Sequence, residues 1–155
     1  MPGQDLIDAV VEALESDINV TGAFGDTWNQ QLQTGVSKFF ADISDQVPLP
    51  YCVIMEIGET YEYMTRASQD QVWFTSPGTM TFDIYASDRL ETRQLGFVIG
   101  KSLNDNPLAW PVGGGETMVF RMSKSQFLGM QQIGPQAPIT FRRLFTFDYM
   151  YQGAL

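Results

Sequence analysis

Residues 139–151 constrain the fold more than any other part of the chain. Ile139, Phe141, Phe145, Phe147, Tyr149 and Tyr151 fall on one side of an extended backbone, and Thr140, Arg142, Thr146 and Asp148 on the other. An alternation of period two over this length predicts a long, half-buried final strand. Its aromatic side must be covered, so the chain has to supply further strands beside it and a second layer over one face.

Other segments fit that demand. Residues 79–86 alternate again, with Met80, Phe82, Ile84 and Ala86 on one face and Thr79, Thr81, Asp83 and Tyr85 on the other; residues 117–122 do so through Met118, Phe120 and Met122. Residues 51–57 (Tyr-Cys-Val-Ile-Met-Glu-Ile) form a nearly continuous apolar run, expected of a strand covered on both faces and placed at the sheet's centre. Pro48 and Pro50 keep the preceding stretch out of a central strand, and residues 36–43 suit a short edge strand.

Two helices are expected. Leu6, Ile7, Val10, Leu14 and Ile18 recur at helical spacing with Asp8, Glu12 and Glu15 on other faces, and Asn19 followed by Gly22 reads as the stop. The second helix begins at Asp88 as N-cap, with Glu91 in position to close a capping box, and runs to about Asn104. Residues 21–35 read as a connection anchored by Phe24 and Trp28, and residues 59–76 as a projecting hairpin or loop with a polar tip. The fold class is α+β, with a largely antiparallel or mixed β-sheet, two α-helices packed on one face and a projecting β-hairpin or loop. At 155 residues it is one domain spanning 1–155, long enough to need no disulfide or structural metal.

Composition removes several kinds of chemistry. The chain has no histidine and a single cysteine, Cys52, so Ser-His-Asp and Cys-His catalysis and the usual zinc spacings are excluded. Cys52 sits in an apolar run and reads as a small buried hydrophobe. Gly96-Phe97-Val98-Ile99-Gly100-Lys101-Ser102 resembles a phosphate-binding loop, but it has one residue too few between the glycines and lies within a predicted helix, where the backbone N–H groups are already committed. Gly113-Gly114-Gly115 follows no strand and opens no helix, and reads as a turn. Glu56, Glu59 and Glu62 at spacing three are a weak candidate for a divalent cation. The expectation is a non-enzyme with no cofactor, no metal and no catalytic residues. No run of 18 apolar residues and no basic leader at the N-terminus predict neither a membrane span nor export.

Charge is unevenly spread along the chain. Through Glu62 there are 11 acidic residues and one basic residue, Lys38; from Tyr63 onward there are 7 acidic and 8 basic. The formal charge of −9 opposes binding to nucleic acid. The split suits identical subunits meeting head to tail, the acidic part of one against Arg121, Arg142 or Arg143 of the next. Loop and edge aromatics suit contact anchors, which makes Tyr61, Tyr63, Arg66, Asp70, Trp73 and Phe74 of the projecting arm further interface candidates.

The order of these segments resembles the tail-terminator and tail-completion proteins of long-tailed bacteriophages and related gene-transfer agents. The resemblance runs over nearly the whole chain: the N-terminal helix from Leu6-Ile7-Asp8-Ala9-Val10-Val11, the Pro48-Leu49-Pro50-Tyr51-Cys52-Val53-Ile54 strand start, the Gly78 to Ala86 strand running into a helix at Asp88, then a short strand and a closing aromatic strand. The segment between Thr21 and Lys38 is longer than the family pattern. The resemblance implies a virion protein without enzymatic activity, a homo-oligomer, expected hexameric, ringing the head-proximal end of the tail tube. Its implied partners are the tail-tube protein and a head-closure or connector protein, with DNA passing through the lumen without sequence-specific binding. The implied location is the tail or neck of the virion, and the host cytoplasm during assembly. A head-closure or connector protein of the same particle, or a small-molecule-binding α+β domain, are the alternative functions.

Overall fold

The computed structural model describes residues 6–29, 31–40, 47–59, 62–63, 73–75, 78–106, 108, 117–132 and 134–154. Its elements in chain order are α1 (Leu6–Glu15), α2 (Ile18–Phe24), β1 (Phe39–Phe40), β2 (Tyr51–Glu59), β3 (Glu62–Tyr63), β4 (Trp73–Thr75), β5 (Gly78–Ala86), α3 (Arg89–Asp105), β6 (Thr117–Gln132) and β7 (Ile139–Ala154). The strands make one mixed sheet, parallel between β1 and β2 and antiparallel elsewhere. The α+β class expected from the sequence is the class observed.

The long aromatic strand organises that sheet. β7 pairs β6 along one edge, and β5 and then β4 along the other. β5 is therefore the middle strand of the run β6-β7-β5-β2-β1, and β7 lies one strand in from the β6 edge. β2, expected at the centre, lies one strand in from the opposite edge, between β5 and β1. Its apolar run has a different cause. Cys52 and Ile54 enter the main core, while Tyr51 and Val53 join Tyr85 in a small cluster on the other face with Phe40, Val47 and Leu49 against it. Among the described residues the second half of β2 has no such cover, and Met55 and Ile57 are exposed.

The main core is a layer between the sheet and the helices. Met80, Phe82, Ile84 and Ala86 of β5, Met118 and Phe120 of β6, and Phe145, Phe147 and Tyr149 of β7 meet Leu6, Val10, Leu14, Leu95, Ile99 and Leu103 of α1 and α3. Period two from the strands and period 3.6 from the helices thus converge on one apolar volume. The alternation of β7 holds from Phe145 to Tyr149 but fails at its start, where Ile139 is exposed and Thr140 is buried.

Three helices are present rather than two. The residues read as a stop after α1 instead build α2: Asp17 accepts from the backbone N–H of Asn19 at 2.9 Å as its N-cap, and Gly25 ends it in the left-handed region at φ 69°, its N–H donating to Thr21 O. Gly22 inside the helix costs about 1 kcal/mol relative to alanine. Burial of Val20 and Phe24, four residues apart, offsets that cost, because each apolar side chain removed from water contributes roughly 1.5–3 kcal/mol. Strand β6 also exceeds its expected length. Its middle, Ser123-Lys124-Ser125-Gln126, is wholly polar, yet the strand continues to Gln132 because β7 offers a ladder along its whole length, with irregularities between Met122 and Lys124 and between Phe127 and Gly129.

Lys38, the basic residue of the acidic N-terminal stretch, is buried. Its Nζ donates to Pro48 O at 2.9 Å and Pro50 O at 3.2 Å, tying the proline segment to the start of β2. Burial lowers its pKa, opposed by the nearby Asp26 carboxylate, and burial likewise raises the pKa of Asp26. Lys38→Met keeps the apolar stem but strands two carbonyl oxygens. The expected loss in chemical denaturation is about 2 kcal/mol, on a cost of roughly 1–3 kcal/mol for an unsatisfied buried polar group.

Candidate assembly surface

Strand β6 ends the sheet. Among the described residues its outer edge carries one isolated bridge, Met118 N to Leu108 O at 2.7 Å, and no ladder beyond it. From Val119 to Gln132 the backbone of that edge has no strand beside it among the described residues. An edge of this length is a template for another chain unless it is twisted, charged or covered. Here it carries Arg121 and Lys124 together with exposed Val119, Leu128 and Met130. The mixture of exposed aliphatic and basic side chains on one open edge has the character of a contact surface.

Tertiary structure also gathers the positive charge. Of the eight basic residues after Glu62, seven lie on α3, β6 and β7: Arg89, Arg93, Lys101, Arg121, Lys124, Arg142 and Arg143. These elements pack on one another, and against the seven bases they hold three acids, Glu91, Asp105 and Asp148. These three elements thus carry a net charge of +4 within a chain of −9, before Asp83 of β5 is set against Arg142.

The three arginines expected at a contact are not equivalent. Arg121 is exposed on β6, directly across from Asp148 of β7. Arg142 is taken up within the domain by an ion pair with Asp83, whose hydrogen bond raises the guanidinium pKa, and it lies 5.0 Å over the Tyr85 ring. That ring stacks on Tyr51 at 4.8 Å, and its hydroxyl donates to Asp83 Oδ2 at 3.1 Å. Burial, then the Asp83 charge, pushes the Tyr85 pKa above its ordinary value. Arg143 is 4% exposed, on the helix side of the sheet. Its Nε donates to Thr92 Oγ1 and its Nη1 to Ser125 Oγ, each at 3.2 Å. The parity of β7 places Arg143 with Phe145 and Phe147 on the inward side, and that spacing is the signal in the sequence that separates it from Arg142.

The projecting arm is described in part. β3 and β4 pair antiparallel as Glu62 with Thr75 and Tyr63 with Phe74, and β4 continues the sheet from the end of β7 through Trp73 to Ala154. Tyr63, Trp73 and Phe74 are thereby placed on strands; Tyr61, Arg66 and Asp70 lie outside the described residues, as do Trp110 and Gly113-Gly114-Gly115.

The remaining motifs find structural places. Gly96 and Gly100 are on α3, the first against the ring of Phe145. Cys52 is fully buried and its thiol pKa is pushed up by burial and by Asp83. Glu56 accepts from the Tyr149 hydroxyl at 2.7 Å. Asp88 caps α3 by accepting from Leu90 N at 2.8 Å, while Oε1 of Glu91 is buried without a hydrogen-bond partner, so the capping box is not closed there. Among the described residues no three His, Cys, Asp or Glu side chains come together in a way that holds a metal ion, and no helix is long and apolar enough to cross a membrane.

No family model and no curated protein sequence matches the chain. Among solved structures it is similar to a chain titled "Virion of native gene transfer agent (GTA) particle", with 14% sequence identity, a TM-score of 0.46, and coverage of 96% of this chain and 95% of that chain.

Proposed function

We propose that this protein is a structural component of a phage-like virion. It acts by self-association, as a ring of identical subunits at the head-proximal end of the tail tube, where it ends tail growth and joins tail to head. The observation that carries this reading is the outer edge of β6, which from Val119 to Gln132 has no strand beside it among the described residues and carries exposed aliphatic and basic side chains. The order of segments, which resembles tail-terminator proteins, supports the particular role. The separation of an acidic N-terminal part from a basic surface on α3, β6 and β7 supports contacts that repeat head to tail, since a heterologous contact closes into a ring when its rotation allows.

Two measurements test it. Particles assembled without this protein are expected to carry tails of uncontrolled length that fail to join heads. Tails of normal length left unjoined would favour a head-closure role, and normal joined particles would end the proposal. For the purified protein, Val119→Lys with Met130→Lys is expected to weaken self-association at least tenfold in sedimentation equilibrium. Both side chains are more than half exposed, so folding stability should stay within about 0.5 kcal/mol per substitution. Unchanged association would remove the β6 edge as the contact.

A further inference from the structure

A cleft beside the start of α3 is lined by Asp88, Arg89, Leu90, Arg93 and Arg143. Three arginines therefore line one cleft. Arg89 and Arg93, one turn apart on α3, are exposed and form no ion pair with any described residue. Arg143 reaches the cleft from β7, held by the hydroxyls of Thr92 and Ser125. Phe127 fixes two of the three: the Arg89 guanidinium carbon is 4.6 Å and that of Arg143 is 5.4 Å from its ring centre. The acid in the lining, Asp88, accepts from the N–H of Leu90 as the helix cap.

Gathering like charges around a buried guanidinium is unfavourable in the isolated subunit. Burial, then Arg93 and Arg89, lower the pKa of Arg143. Arg142, the adjacent residue, shows the alternative, since its own charge is matched by Asp83. The cluster near Arg143 has one capping carboxylate against three cations, in a chain with twice as many acids as bases.

We infer that this arginine cleft receives carboxylates from the acidic N-terminal part of a second copy of the chain, whose helix α1 turns Asp8 and Glu12 outward. The inference rests on the self-associating reading above and adds its polar contact. Charge complementarity selects the occupant: the stretch through Glu62 carries 11 acids against one base, and that base, Lys38, is buried in its own subunit. Asp8 and Glu12 lie one turn apart on exposed positions of α1, matching the one-turn spacing of Arg89 and Arg93 on α3. Arginine forks bind carboxylates in planar, two-bond geometry, and a neighbour that covers the cleft strengthens them by excluding water.

The test uses Arg89→Glu with Arg93→Glu, both at exposed positions, and Asp8→Arg with Glu12→Arg, each in the full chain, with native fold checked by circular dichroism. Sedimentation equilibrium in low salt is expected to show self-association of each double variant weakened at least tenfold relative to the natural sequence. An equimolar mixture of the two is expected to recover association as alternating subunits in 1:1 proportion, because each cleft then meets an α1 of opposite charge. In 0.5 M salt the natural sequence should associate more weakly, and the variants should show little further change. Association of Arg89→Glu/Arg93→Glu equal to that of the natural sequence would overturn this contact while leaving the ring reading intact. So would a weakened variant that the Asp8→Arg/Glu12→Arg partner does not rescue. A natural sequence that stays monomeric at every concentration and salt would overturn both.

Discussion

Phe147→Ala is expected to lower the unfolding free energy by about 3–5 kcal/mol, the range for truncating a large buried aromatic side chain. Phe147 lies on β7, 1% exposed, with its ring edge-on to Phe82 at 5.0 Å between centroids. Removing it deletes buried apolar surface, breaks an aromatic pair and leaves a cavity between α3 and two strands that cannot close independently. For a chain of this length the melting temperature should fall by roughly 6–20 °C. Phe147→Leu, which keeps most of the volume, should recover more than half of the loss. A fall of under about 1 kcal/mol for Phe147→Ala in urea unfolding would mean that the sheet and helix layer do not meet at this ring.

Gly96→Val tests the same interface from the helix side. On propensity alone, replacing a glycine inside a helix stabilises it, by about 1 kcal/mol for alanine and somewhat less for valine. Packing opposes this. A Cβ at Gly96 would enter the space of the Phe145 ring, which is fully buried and has no free direction in which to move. Overpacking of a close-packed core costs roughly 1–3 kcal/mol and occasionally more. A branched side chain at direct contact should therefore cost at least about 3 kcal/mol or prevent folding altogether. Gly96→Ala is the diagnostic companion: it should destabilise despite its helical preference. A higher melting temperature for Gly96→Ala would show that α3 does not rest on Phe145.

These two residues also show how legibility differed along the chain. Phe147 could be placed in the core from sequence because its neighbours at even spacing are aromatic and those between are polar. Gly96 could not. In the sequence it stood as part of an imperfect phosphate-loop pattern, and only the position of Phe145, forty-nine residues away, gives it a packing role. α2 was hidden for a similar reason: Asp17 ends one helix and caps the next, and a glycine inside seven residues looks like a stop until Val20 and Phe24 are seen to be buried. The middle of β6, Ser123 to Gln126, has no apolar residue of its own and is a strand because β7 lies beside it.

The candidate surface was legible in charge and not in geometry. The sequence separated acid from base, and it indicated that bases after Tyr63 would matter. It could not distinguish Arg121, exposed on an edge, from Arg142, neutralised by Asp83 across the ladder. Nor could it show Arg89 and Arg93 joining Arg143 around one cleft, since the first two are helical and the third lies fifty residues beyond them.

From the order of its residues alone, this chain had its α+β class, its aromatic final strand, the start and length of α3 and its lack of histidine chemistry, because periodicity, capping and composition are local properties. The position of β7 between β6 and β5, the edge of β6 that no described strand covers and the cluster of three arginines arose only when distant segments were brought together. Strand order and charge proximity depend on which surfaces become neighbours in space, and side-chain alternation leaves that choice open.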